Sequence, residues 1–299
     1  MTYSISDLQR LTGVQTHTIR IWERRYHALE PMRSAGNTRF YDDRQLRRLL
    51  NIVGLSNSGL KISQVCALTE DEMNVLLEKE VEKSVSPVEK YEYYVSQLLS
   101  YGLSYDEFQF GELITNAITK YGLKNTYINI MYPLLVRLGL MWRSDNICPA
   151  QEHFLSNIIR HRITSATENI SLKKKYKSTW VLFLPEEDDH DIGLLFANYL
   201  LKAAGHKVIY LGAKVPVESV RDVIEKVQVE HLLVFMLRSQ SAEVTMEYVK
   251  GLSAAFAQQD IHIAGSSRIL AEVPMEGNVK WMKSIDDLEH IINKINNVK

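Results

Sequence analysis

Three groups of side chains in this 299-residue chain have types and spacings that could do chemistry. In the stretch EEDDHDIG, His190 stands among aspartates, with Asp188 two residues before it and Gly193 three after. An imidazole so placed can be a metal ligand, a pH-sensitive group or a polar loop residue, and the stretch alone leaves all three open. In WRSDNICPAQEH, Trp142 is followed by Glu152 and His153, an aromatic plate and an acid–imidazole pair. The bland reading of that set is a helix-end aromatic and a helix cap. The third group is a crowd of arginines near the amino terminus: residues 1–60 hold nine of them against five acids. Such an excess suits a polyanionic partner, although a solvated face is the competing reading.

The elements that position these groups fall into three parts, expected at 1–80, 85–172 and 178–299. The bulk numbers support several domains: the chain is 45% hydrophobic, enough for each part to have a core. No apolar run reaches the roughly 20 residues that cross a bilayer, and MTYSISDLQRLTG is not a secretion signal, so a soluble cytoplasmic protein is expected. Cys66 and Cys148 lie too far apart for metal-like spacing, which argues against a disulfide framework and a structural zinc site.

In the first part, SISDLQRLTG has apolar residues at helical spacing behind Ser4 or Ser6, with Gly13 to close the helix. THTIRIWERRY makes a second short helix with Ile19, Trp22 and Tyr26 on one face; the two read as a helix-turn-helix. Pro31 is expected to end the helical register, RSAGNTRFY to form a small hairpin or wing, and two further helices to follow from Asp42 or Asp43. Leu8, Ile19 and Trp22 are expected in the core, and Glu23 is a candidate surface ion pair with Arg47 or Arg48. The order IRIWERRY, RSAGNTRFY, LRRLLNIVGLSNSGLKISQV resembles the MerR family of winged-helix transcription regulators from Ser4 to about Leu77. The resemblance implies double-stranded DNA as partner. Thr16, Thr18 and Arg20 would face the major groove, and Arg24, Tyr26, Arg39 and Tyr41 would hold phosphates.

The second part contains four helical stretches. Two are expected to end at Gly102 and Gly122, the third to kink at Pro133, and the fourth to open on Pro149. Short connections predict an antiparallel bundle. Trp142, Glu152 and His153 are similar to the W-x9-E-H motif of the cobalamin-binding bundle in light-sensing members of the MerR family. By that resemblance they would enclose the upper axial group of a corrinoid.

The third part alternates near-continuous apolar strands with helices, which predicts a doubly wound parallel sheet of flavodoxin-like or Rossmann-like type. The His190 loop follows its first strand, and ligands of such sheets sit beyond the carboxyl ends of the strands. Asp188-x-His190-x-x-Gly193 resembles the D-x-H-x-x-G motif of cobalamin-binding domains. The resemblance implies His190 as a metal ligand that binds cobalt from below, Asp188 as its orienting partner, and Gly193 as the point of close approach to the corrin. Three positions depart from the family pattern. Phe235 or Met236 stands at the usual Ser-x-Leu serine, Ala264-Gly265 replaces Gly-Gly, and Arg143 follows Trp142 where the best-known light sensor has a histidine. The first two sites line the channel for the nucleotide tail in the family; the third excludes a bis-histidine photoproduct.

The expectation is therefore a multidomain regulator: an all-α winged helix-turn-helix, a four-helix bundle and an α/β domain. It would act as a repressor or activator whose oligomeric state, dimer or tetramer, is set by adenosylcobalamin or another cobalamin. In darkness the cofactor would favour a DNA-bound oligomer, and photolysis of its cobalt–carbon bond would release it. One alternative keeps the DNA-binding module and gives the C-terminal half an oligomerisation role or another small ligand. Another, from the likeness of bundle plus cobalamin domain to methyltransferase corrinoid carriers, is a carrier protein. No Ser-His-Asp, Cys-His or paired-carboxylate set points to an enzyme.

Overall fold

The structure, a computed structural model, describes residues 2–34, 36–57, 60–73, 75–76, 87–143, 147–171, 173–238, 241–265 and 267–297. The chain divides into two compact units, Met1–Ile159 and Arg160–Lys299. The linker expected around residues 77–86 lies outside the described residues, as does Leu172.

The first unit opens with helix α1 (Ile5–Thr12), where Ser4 and Asp7 form a capping box that satisfies two orphan donors reciprocally. Gly13, left-handed at φ 75°, terminates it. Helix α2 (Thr16–Tyr26) ends on His27 at φ 51°, five residues after Trp22 and well before Pro31, so a left-handed cap and not the proline stops the helix. Strands β1 (Thr2–Tyr3), β2 (Met32–Arg33) and β3 (Arg39–Asp42) form a three-stranded antiparallel sheet in the order β1-β3-β2, with Met32 opposite Phe40 and Tyr3 opposite Tyr41. The wing turn between β2 and β3 has Asn37 at φ 61° and a Ser34 N–H donating to the Thr38 carbonyl. Helices α3 (Asp43–Asn57) and α4 (Ile62–Cys66) follow, and Leu8, Ile19, Tyr41, Leu46, Leu49 and Ile52 are fully buried together. Trp22, expected in the core, is only half-buried.

Four further helices are α5 (Pro87–Leu103), α6 (Glu107–Thr126), α7 (Tyr132–Arg143) and α8 (Pro149–Glu168). Helix α5 runs one residue past Gly102. That glycine serves close packing instead of termination, because a Cβ there would meet Leu155 Cδ2 at 2.0 Å. Gly122 does break its helix, at φ 76° and ψ 156°. Upstream of Pro133 the chain widens into a π-helical turn, Tyr127–Met131, before continuing as α7. Such a widening is a recognised accommodation in the hydrogen-bond ladder. Asn51 of α3 accepts from the Gln97 amide of α5 at 2.7 Å, a buried polar contact joining the winged helix to the bundle within this unit.

The second unit is a five-stranded, all-parallel sheet in the order β5-β4-β6-β7-β8. Its strands are β4 (Thr179–Phe183), β5 (Lys207–Gly212), β6 (His231–Met236), β7 (Asp260–Gly265) and β8 (Val279–Met282). The connecting helices are α9 (Ile192–Ala203), α10 (Val217–Lys226), α11 (Ala242–Ala255) and the short α12 (Ser267–Leu270), and α13 (Ile285–Asn297) closes the chain. Central strands β4 and β6 are apolar almost throughout because both faces are covered. Their period of two sorts the residues: Val181, Phe183, Val234, Met236, Ile261 and Ile263 share one core with Val220, Val249 and Leu252. Trp180, Leu182, His231, Leu233, Phe235 and His262 therefore point to the other face. There Trp180 stacks on His231 and His262 at centroid distances of 4.3 and 5.1 Å.

Candidate functional site

In the first unit, the helical repeat of α2 sets its buried side through Ile19 and Glu23. The opposite side presents His17, Arg20, Ile21, Arg24 and Arg25, all exposed, with the Arg25 guanidinium 5.4 Å from the centre of the Tyr26 ring. Thr16, Arg20 and Arg24 follow one another at four-residue spacing and share one stripe, whereas Thr18 lies on the other rim; both threonines are half-buried. Arg20 and Arg24 are thus placed to reach a polyanion. His17, Ile21 and Arg25 belong to the same surface, and the helical period was the signal that would have found them.

One of the expected phosphate-holding residues, Tyr41, does something else, and a second, Arg39, is tied to a neighbouring carboxylate. Tyr41 is fully buried, and its hydroxyl donates to Glu23, itself 7% exposed. Burial first, then the hydrogen bond to and charge of Glu23, raise the Tyr41 hydroxyl well above its ordinary value. Tyr41 cannot reach a phosphate. Arg39 sits 3.5 Å from Glu23, which holds it at the base of the wing while part of its side chain stays exposed. Glu23 consequently pairs with Arg39, and neither Arg47 nor Arg48 takes the role expected for it. Arg48 donates instead to the carbonyls of Ala28 and Cys66, both at 2.9 Å. Tyr26 is half-buried beside Arg25.

In the bundle, Glu152 and His153 occupy the first turn of α8. Glu152 Oε2 lies 2.8 Å from His153 Nδ1, and the imidazole is largely exposed. Gln151 reaches back to the Cys148 N–H and donates to the Leu103 carbonyl, fixing where this turn begins. Trp142 is in the last turn of α7, and its side chain, like that of Arg143, lies outside the described residues.

The loop after β4 is built around Asp188. This carboxylate is 2% exposed and accepts four hydrogen bonds. Oδ2 takes the backbone N–H of Leu237 at 2.6 Å and of Arg238 at 2.8 Å; Oδ1 takes the His190 N–H at 3.1 Å and His190 Nδ1 at 2.9 Å. Burial by itself would raise the carboxyl, but the His190 ring and these backbone donors outweigh it and hold Asp188 far below the ordinary carboxylate range. A permanent anion here places the imidazole proton on Nδ1 and makes Nε2 the basic nitrogen of a ring two-thirds exposed. Asp189, exposed, comes within 3.5 Å of both His190 Nδ1 and Lys214. Asp188, Asp189 and His190 are close enough together to offer ligand atoms to one cation. Arg160 anchors the far side of the loop through Asp191 at 3.0 Å.

Gly193, in the first turn of α9, faces Phe235. A Cβ built on it would lie 2.8 Å from Phe235 Cε1 and 3.2 Å from Cδ1. Met236 points away, 5% exposed in the opposite core, so Phe235 and not Met236 stands beside the helix that follows His190. Ala264 pairs with Phe235 across β6 and β7 and is half-buried on the same side. Gly265 is required by packing alone, since a Cβ there would approach the Met236 carbonyl oxygen to 2.4 Å. On the Met236 face a cavity of about 360 Å³ is lined by Pro185, Glu186, Glu187, Glu218, Arg238 and Tyr248 among others; His190 does not line it. Sequence reasoning missed the Leu237 and Arg238 donors, because backbone groups some fifty positions away leave no trace in a local motif.

A family model described as MerR HTH family regulatory protein matches residues 3–72, and one described as B12 binding domain matches residues 94–165. One chain thus carries a match to a MerR-type helix-turn-helix followed by a match to a B12-binding domain. The HTH-type transcriptional repressor CarH of Myxococcus xanthus is 28% identical over 244 residues, 81% of this chain and 81% of that protein. The repressor CarA of the same organism is 25% identical over 302 residues, 100% of this chain and 99% of its own. This chain is a distant relative of both. Among solved structures, the monomethylamine corrinoid protein of Methanosarcina barkeri aligns with a TM-score of 0.52 at 16% identity, covering 67% of this chain and 96% of that one; that likeness concerns the fold. Among the described residues no helix is long and apolar enough to cross a membrane.

Proposed function

We propose that this protein is a sequence-specific DNA-binding transcription regulator controlled by a corrinoid, with adenosylcobalamin as the form to test first. The observation that carries the reading is the Asp188–His190 pair: a buried carboxylate fixes the tautomer of an exposed imidazole at the carboxyl end of the first strand of a parallel sheet. The donor set fits a cobalt ligand, a neutral imidazole nitrogen backed by an anion. In this reading His190 would hold the cobalt, and Trp142, Glu152 and His153 would hold the corrinoid's organic substituent. When bound, a corrinoid supplies a cobalt centre whose upper ligand can be lost in light. The protein's part is to hold that group, to keep the His190 proton on Nδ1, where it is donated to the Asp188 carboxylate, and to favour one assembly on DNA. Control requires the corrinoid to bind two assemblies unequally, since equal affinity would shift nothing.

On the DNA side, Arg20 and Thr16 are proposed to meet base edges, Arg24 and Arg39 to meet phosphates, and Thr18 and Tyr26 to border that surface. Tyr41 is assigned to Glu23 instead. Purified protein mixed with adenosylcobalamin in darkness should co-elute with the visible corrinoid spectrum on gel filtration, and illumination should change its elution volume if light is the signal. Protein that stays colourless with saturating adenosylcobalamin and with saturating cobinamide would reject corrinoid control. A second reading, a MerR-type regulator whose C-terminal half serves oligomerisation or another ligand, draws support from one observation: the Phe235 ring fills the space over Gly193.

A further inference from the structure

We propose that Phe235 makes this a site for corrinoids without a bulky lower nucleotide, so that the chain discriminates against cobalamin in favour of the cobinamide class. This rests on the reading of His190 as the cobalt ligand. If His190 takes the lower axial position, the nucleotide base that occupies it in a free cobalamin must leave cobalt and find room within the reach of its tether. Among the described residues, two places near the loop come into question. On the α9 face, the gap between the first turn of that helix and the end of β6 holds the Phe235 ring. Gly193 contributes no side chain there, and even a methyl group would stand 2.8 Å from the ring. The missing Cβ is thus used to seat an aromatic side chain of this chain, and an aromatic base would have to compete with that ring for the space. On the other face, the cavity of about 360 Å³ has apolar walls from Val215, Val217, Met236, Val244 and Tyr248 and carries the carboxylates of Glu186, Glu187, Asp188 and Glu218. Its one arginine, Arg238, already donates to the Glu187 carbonyl at 2.9 Å and faces the Glu187 carboxylate at 3.4 Å. A nucleotide tail carries a phosphodiester anion, and the four carboxylates of this lining disfavour it. A cobalamin would therefore have to give up its own base–cobalt bond with nothing gained by the displaced base, whereas a corrinoid lacking the nucleotide has no such bond to break.

The test compares diaquacobinamide with aquacobalamin by visible-spectrum titration of the full chain, alongside Phe235→Ala, Phe235→Leu and His190→Ala. The wild-type protein should bind the cobinamide at least tenfold more tightly. Phe235→Ala should erase most of that preference by gaining cobalamin affinity, with Phe235→Leu intermediate. Cobinamide affinity should stay within about twofold in both, which also shows that the variants are folded. His190→Ala should abolish the ligand-dependent spectral change with either corrinoid. Equal affinity of the wild-type protein for both corrinoids, or a preference unmoved by Phe235→Ala, would overturn the role of Phe235 while leaving His190 as ligand. No His190-dependent spectrum with either corrinoid would overturn the reading of His190, and this inference with it.

Discussion

Replacing Asp188 by asparagine changes one oxygen to an amide nitrogen, yet the structure gives it a large effect. All four partners of the carboxylate are donors: the N–H groups of Leu237 and Arg238 on Oδ2, and the N–H and Nδ1 of His190 on Oδ1. An asparagine has one acceptor oxygen, so in either orientation its NH2 group faces two donors. At least two charge-assisted hydrogen bonds are lost, each contributing about 1.5–3 kcal/mol, and two donors are left without an acceptor in a buried loop. The expected destabilisation of the α/β unit is about 3–5 kcal/mol, measured by urea unfolding. The pH dependence follows with its sign: because the folded carboxyl is held below the unfolded value of 3.8, its stabilisation is fully present above that pH and is lost as the pH falls from there through the lower folded value. Asp188→Asn should show no such acid-side loss. If the amide turns its NH2 toward His190, the ring proton moves to Nε2, and corrinoid affinity should fall by about 10- to 100-fold. His190→Ala removes an exposed ring and should cost the fold far less than Asp188→Asn. Stabilities of Asp188→Asn and wild type within 0.5 kcal/mol of each other would refute the convergence of four donors on one buried carboxylate.

Other perturbations test separate links. His262 is buried against His231, and burial first, then that neighbour, lower it from 6.5 to about 4, so its contribution is complete above the unfolded value and is lost as pH falls from 6.5 toward 4; between pH 7 and pH 5 this amounts to about 2 kcal/mol. His262→Phe keeps a ring against Trp180 and should flatten the stability profile over that interval, which denaturant melts at the two pH values will read. Arg20→Ala should weaken discrimination between operator and random DNA, and Arg24→Ala should lower the salt slope of binding by about 1, both seen in fluorescence-anisotropy titrations. Tyr41→Phe, by contrast, should destabilise the winged helix by about 1–3 kcal/mol without altering the salt slope, because its hydroxyl serves the buried Glu23. Gly102→Ala drives a methyl group into Leu155 and should cost about 1–3 kcal/mol, with relief when Leu155→Ala is added; a neutral single variant would contradict that close approach.

Much of the architecture was legible because it is written in local rules. Ser4 and Gly13 bracket the first helix, Gly122 breaks the second bundle stretch, and alternation of apolar strands with helices specified the parallel sheet. Where local reading failed, a long-range partner had intervened. Tyr41 looked like a wing residue free to touch phosphate, but Glu23, eighteen positions earlier, was buried beneath it. Gly102 looked like a helix stop, and Leu155 across the bundle gave it a packing role.

By itself the sequence singled out the candidate residues: a histidine two residues after an aspartate, an acid–imidazole pair at a helix start, and arginines in one stripe of a short helix. Spacing along the chain is enough for that, because helical and strand periods convert position into facing. Only the tertiary structure decided what Asp188 is bound to and which side chain stands over Gly193. Phe235 and Met236 are neighbours in the chain but point to opposite faces of the sheet, and only strand register with packing against α9 selects between them. The anion that orients His190 is held by backbone donors from the far end of another strand, which become neighbours only once the sheet has formed.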